Sequence, residues 1–257
     1  MNDKAFTSLV KIWLPDKSPR VWSLLVTLFG DLAQAPNAQL SGAAVNAILN
    51  GIGIKSEAIR VALHRLRRDG WIESNKAGRK SNYSLTSWGR DQSAAANPTI
   101  YGPWPEISDA WLVAIDLNGH STLDTQGMTP ITTHLFINLT PVENDSAFVV
   151  HLSPSQAIPR WVSDRLCSSQ LNAAAQDFLK CLERFQRELQ NFDPLTPVQT
   201  AILRTLLVHE WRRIILKAPA VPDFIMPDEW VGAACKQLFP HVLAALTKPD
   251  LTVLNDL

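Results

Sequence analysis

Apolar residues recur at helical spacing three times within the first seventy positions. Val21, Leu24, Leu25 and Leu28 form the first stripe, with Ser18 and Pro19 as its expected opening and Gly30 as its expected stop. Ala44, Val45, Ile48 and Leu49 form a second, running from Ser41 to Gly51. Ile59, Ala62, Leu63 and Leu66 form a third. It is expected to open at Ser56, whose hydroxyl would cap it, and to close at Asp69 and Gly70. The period then shortens from 3.6 to about 2. Trp71–Asn75 and Asn82–Leu85 read as two short strands around a basic, glycine-containing loop over 76–80. Three helices followed by a hairpin, in this order, predict a winged helix-turn-helix.

Asn97–Pro105 holds three prolines and one glycine and reads as a boundary. Beyond it, Trp111–Leu117, His134–Leu139 and Ala147–Leu152 are apolar and β-prone. Helical patterns follow at Ile158–Leu166, Asn172–Asn191, Pro197–Lys217 and Asp228–Leu246. The expected fold class is therefore α+β and multidomain. Residues 1–96 form the winged-helix DNA-binding domain, 97–168 an α+β middle domain, and 169–257 a helical C-terminal domain.

Charge changes this picture most. The whole chain of 257 residues is neutral, with 24 basic and 24 acidic residues. Residues 1–90 carry 13 Lys/Arg against 6 Asp/Glu, a charge of +7, which leaves 11 against 18, or −7, for the remainder. One third of the chain is built to meet a polyanion. Within it, 100° per residue on Ser56–Arg68 sets Glu57, Arg60, Val61, His64, Arg65 and Arg68 opposite the apolar stripe, with Arg67 on the flank. Such a helix has the dimensions and charge to enter a DNA major groove, and an arginine there can pair with guanine or clamp a phosphate. A solvated helix face is the plain alternative. The basic hairpin behind the helix and the charge of the segment favour DNA. The candidate DNA contacts are Ser56, Arg60, His64, Arg65, Arg67 and Arg68 on the helix, and Lys76, Arg79 and Lys80 on the wing. Arg60 and His64 are the foremost base readers. Arg65 has a second reading, as a structural link to neighbouring elements.

Other chemistry is sparse. His209 and Glu210 open like a zinc-binding HExxH helix, but Arg213 stands where the second histidine is needed. There is no phosphate-binding loop motif and no nucleophile elbow around Ser155. The three cysteines, Cys167, Cys181 and Cys235, have no metal-ligand spacing and suit a reducing, cytoplasmic setting. No apolar run approaches the ~18 residues of a membrane span, and Met1–Lys11 lacks a secretory pattern. No catalytic residues, metal or cofactor are assigned, so the chain is not expected to be an enzyme. Trp111, Trp161, Trp211 and Trp230 are either pocket lining or ordinary core.

Three stretches, Arg20–Asp31, Gly53–Trp71 and Gly78–Thr86, together with Ile100 and Tyr101, resemble the PaaX-type repressors of phenylacetic acid degradation. So do His209–Lys217, Pro219, Pro222 and Met226–Ala234. The resemblance spans 20–101 and 205–246 and is weak between them. It implies a homodimeric repressor with a winged helix, a ferredoxin-like middle domain and a helical C-terminal domain. It also implies an operator-bound state released by a small-molecule effector, an aryl-CoA thioester such as phenylacetyl-CoA. Ser56, Arg60, Arg65, Arg68 and the Gly78–Arg79 wing are the positions it carries over to DNA. Asn118–Thr133 departs from the pattern: it is short, contains Gly119, Gly127 and Pro130, and has no Lys or Arg where the family has an arginine-rich helix. A thioester's phosphates would need cations in an acidic part of the chain. Arg204, Arg212 and Arg213, with Trp211, are the effector-site candidates; solvated charges or internal ion pairs are the alternative for them.

The leading expectation is a cytoplasmic, sequence-specific repressor of an aromatic-acid catabolic operon. A winged helix used for protein contact, or a regulator of a different effector, are the alternatives.

Overall fold

The computed structural model describes residues 3–14, 19–77, 80–116, 123–190, 192 and 194–257. The fold class is α+β. Contacts divide the chain into two units that do not follow chain order. Unit 1 is Met1–Gly102, Lys180–Ile215 and Gln237–Leu257; unit 2 is Pro103–Leu179 and Leu216–Lys236. The helical tail expected as a domain of its own is thus shared between the two units.

Unit 1 contains α1 (Asp3–Trp13), α2 (Val21–Leu32), β1 (Leu40–Ser41), α3 (Gly42–Gly51), α4 (Ser56–Arg68), β2 (Ile72–Ala77), β3 (Lys80–Leu85) and α5 (Ser87–Tyr101). α2 begins at Val21 with Arg20 as its N-cap, so Pro19 lies outside the helix, and Ser18 is outside the described residues. Gly30 does not stop α2, which runs on to Leu32. A Cβ there would sit 3.3 Å from the Ser93 hydroxyl of α5, so the glycine permits close approach between helices. α3 opens as expected, with the Ser41 hydroxyl accepting from the Ala44 amide at 3.0 Å. α4 closes through Gly70, at φ +76°, with the Trp71 amide donating to the Leu66 carbonyl at 2.9 Å. β2 and β3 pair antiparallel in a register that sets Ile72 opposite Leu85, and β1 pairs with the other edge of β3, giving the order β1-β3-β2.

Two helices escape the periodicity argument. α1 covers most of Met1–Lys11, where the apolar pattern predicts no element. α5 occupies part of the expected boundary: Thr86 caps it by accepting from the Gly89 amide at 3.0 Å, and it continues through Pro98 before Gly102 (φ +73°) ends it.

The core of unit 1 forms around α8 (Pro197–Ile215), which packs against α1, α2, α3 and α5. Most of α8 is buried, including Leu203, Leu206, Leu207, Val208 and Trp211. Phe239 of α9 (Gly232–Ala244) stacks on Trp211 at 5.3 Å, and Phe185 of α7 (Ser169–Gln190) meets Trp13 at 5.1 Å. α10 (Leu251–Asn255) clasps β1: the Asn255 side chain accepts from the Ser41 amide at 2.7 Å and donates to the Gln39 carbonyl at 2.9 Å.

Unit 2 is built on a four-stranded antiparallel sheet of β4 (Ala110–Ile115), β5 (Thr129–Pro130), β6 (Leu135–Asn138) and β7 (Ala147–Leu152), in the order β5-β6-β4-β7. α6 (Arg160–Leu166), the first part of α7 and a short 3-10 turn at Asp223–Ile225 complete it. Among the described residues no helix lies between β4 and β7, where a ferredoxin-like unit carries its first crossover helix. Nor is there any helix among the described residues long and apolar enough to cross a membrane.

Candidate nucleic-acid interface

α4 is held by one face only. Ile59, Ala62, Leu63 and Leu66 are buried, and α2 and α3 cover them. Every basic residue of the helix, Arg60, His64, Arg65, Arg67 and Arg68, is exposed. Arg65, Arg67 and Arg68 occupy the last turn, where the helix dipole favours positive charge. That accounts for tolerating charge there but not for keeping it outward.

The side chains of α4 differ in how firmly they are held. Arg60 is gripped by Glu57: Nη2 donates to Oε1 at 2.6 Å and Nε to Oε2 at 3.3 Å. Both side chains remain more than 70% exposed. The pair holds the Glu57 carboxyl below its ordinary range and raises the guanidinium of Arg60. Arg65 has the structural link considered for it, with Nε 3.4 Å from Asp69 Oδ2 and its guanidinium 6.0 Å from the centre of the Trp22 ring, yet it stays 63% exposed. Arg67 donates to the Ser74 hydroxyl of β2 at 3.2 Å, tying the helix to the hairpin. Arg68 approaches Asp69 at 3.5 Å. Ser56 is not the cap of α4. Lys55 is the N-cap residue, and the Ser56 hydroxyl donates to Asn50 at 3.3 Å.

On the hairpin, Lys76 is exposed. Arg79 lies outside the described residues, as does the side chain of Lys80. Sequence reasoning missed Arg20 and Lys55. Together with Arg65, Trp22, Glu57, Ala58, Val61 and Ala62 they line a cavity of about 720 Å³ between the start of α2 and the length of α4. The signal available was their position, each one residue before a helix start.

The cations assigned to an effector stand elsewhere. Arg204 is buried: Nε and Nη2 donate to the two Asp31 oxygens at 2.6 and 3.0 Å, and Nη1 donates to the Leu246 carbonyl at 2.7 Å. Tyr101 donates to the same carboxylate at 2.9 Å, and burial with that charge pushes its phenol pKa up. Trp211 is core, with Nε1 donating to the Ile100 carbonyl at 2.8 Å. Arg212 donates to the Thr27 hydroxyl at 2.8 Å, and Arg213 pairs with Glu210 at 2.8 Å. Arg204 and Trp211 are therefore fold residues with no face left for a ligand. His209 sits 3.3 Å from the Thr27 hydroxyl, and its pKa is pulled down to about 4 by burial and by Arg213 and Arg212. Of the four tryptophans considered together, Trp211 belongs to unit 1 while Trp111, Trp161 and Trp230 belong to unit 2.

A PaaX-like protein family model matches residues 20–89, and a model of the PaaX-like protein C-terminal domain matches residues 168–254. The chain is 26% identical over 261 aligned residues to the transcriptional repressor PaaX of Escherichia coli (strain K12), covering 91% of this chain and 83% of that one. An uncharacterized protein from Mycobacterium tuberculosis aligns in structure with a TM-score of 0.45 and 12% identity, covering 91% of this chain and 96% of that one.

Proposed function

This chain belongs to the PaaX-like family, and from that premise we propose that it is a transcriptional repressor that binds operator DNA through α4. Helices α2 to α4 with the β2–β3 hairpin act as a winged helix-turn-helix. Arg60 and His64 meet base edges, while Arg65, Arg67, Arg68 and Lys76 meet phosphates. One observation carries this reading: α4 buries one stripe and turns all four of its arginines to solvent, which is the face a polyanion needs. A homodimer sets the spacing of two such helices, about one DNA turn apart.

The regulated genes belong to phenylacetate-type catabolism, and an aryl-CoA thioester such as phenylacetyl-CoA releases the repressor. The effector acts only by binding the DNA-free form more tightly than the DNA-bound one. The test is binding to the promoter fragment beside the protein's own gene, at fixed salt, with and without phenylacetyl-CoA. Tight binding that the thioester abolishes is the expected result. Binding indifferent to the thioester removes the effector and leaves the repressor. No binding to any promoter fragment overturns the proposal.

A further inference from the structure

The outermost line of α4 is not wholly charged. Taking 100° per residue, the buried residues Ile59, Ala62, Leu63 and Leu66 centre on one side of the helix, and Glu57, Val61, His64 and Arg68 fall on the other. Val61 is 59% exposed, one of the few large apolar side chains so open among the described residues. It stands on the wall of the cavity between α2 and α4, and that placement leaves it open to solvent. A β-branched residue is a weaker helix former than alanine, and an isopropyl group left in water adds nothing to the core.

Its surroundings specify what should cover it. Arg60 is adjacent, and His64 and Arg65 lie one turn further along. An apolar protein surface laid on Val61 would have to take the Arg60 and Arg65 guanidiniums out of water. A DNA duplex would neutralise them instead, since its phosphates flank the groove that such a helix enters. The major-groove floor consists of hydrogen-bonding edges with a single apolar feature, the 5-methyl group of thymine. The Glu57–Arg60 pair directs the Arg60 guanidinium back toward the first turn of the helix, and the Val61 side chain stays exposed beside it.

Building on the operator-binding reading, we propose that Val61 is a specificity-determining residue that reads the 5-methyl group of a thymine in the operator half-site. The contact distinguishes thymine from cytosine without a hydrogen bond. It complements the arginines, which favour guanine.

The test begins with selection of binding sites from random duplex DNA by the full chain. Failure to select any site counts against DNA binding itself and is distinct from failure of the thymine contact. In the selected half-site each thymine is replaced in turn by deoxyuridine, which removes only the methyl group. Loss of one buried methyl corresponds to about fourfold in affinity. The wild-type chain is expected to lose about that much at one thymine position per half-site. Val61→Ala, which α4 tolerates because alanine is the better helix former, is expected to bind both forms of the site equally and as weakly as wild type binds the deoxyuridine form. A half-site without thymine, deoxyuridine tolerated at every position, or the same loss persisting in Val61→Ala would overturn the proposal.

Discussion

α4 and α8 both carry several arginines within unit 1 and use them in opposite ways. On α4 the apolar residues form one stripe, so the cations share the other side and remain in water. α8 is buried along most of its length, and two of its three arginines are drawn inward: Arg204 to Asp31, and Arg212 to Thr27. Arginine count therefore says little about a ligand site. What decides is whether the helix has a free side. A buried guanidinium must spend its donors on the fold, because leaving them unpaired away from water is costly. An exposed one that pairs only at the surface, as Arg60 does with Glu57, can exchange those bonds for a partner's.

The comparison breaks most severely at Asp31. Removing that carboxylate in Asp31→Ala strands the Arg204 guanidinium and the Tyr101 hydroxyl, at a cost of about 3–5 kcal/mol. A large drop in the denaturant midpoint is expected; a midpoint near wild type would show that Arg204 is not committed to the core.

His209, on the same helix, extends the contrast to pH. Its native pKa of about 4 lies below the 6.5 of a free histidine. Between those values the unfolded chain takes up a proton that the native one refuses, so this contribution is complete above pH 6.5 and is lost as pH falls toward 4. It amounts to at most about 3 kcal/mol. Urea unfolding at pH 7 and pH 4.5 should show a smaller acid-induced loss in His209→Gln than in wild type. Equal losses would remove His209 as the cause.

On α4 the expected effects move from stability to binding. Arg68→Ala should keep its unfolding midpoint while the slope of log affinity for DNA against log salt becomes shallower by about one. An unaltered slope would return Arg68 to the status of a solvated charge. Glu57→Gln should have the smallest effect: a modest gain in affinity for random DNA, from removing a negative charge beside the phosphates, with less discrimination in favour of the operator. A competition assay with random-sequence DNA reads both, and unchanged discrimination would mean that the Glu57–Arg60 pair does not orient the arginine.

The same contrast explains what the sequence made legible. α4 was readable because its burial is one-sided, so the apolar period survives in the chain, and every residue assigned to its outer face is exposed. The cap was misread because Ser56 looks like a capping residue, while the structure starts the helix on it and places Lys55 before it. α8 was readable as a helix but not as a core element. Internal ion pairs were one reading of its arginines, but the partner was hidden, since the Asp31–Arg204 pair joins residues 173 positions apart with no local trace. α5 was hidden by composition. Its small and polar residues and Pro98 resemble a linker, and only packing against α2, α8 and β3 gives it a side. The middle sheet was visible strand by strand. Its order was not, since each strand pairs with partners that no local pattern names.

The central claim is that the outward arginines of α4 serve DNA and not the fold. The most direct measurement is the affinity of Arg60→Ala for the promoter fragment, at one stated salt concentration, beside its unfolding midpoint. The account predicts a loss in affinity on the order of tenfold or more, with relaxed sequence preference and an unmoved midpoint. Wild-type affinity, or a loss matched by destabilisation, would contradict it.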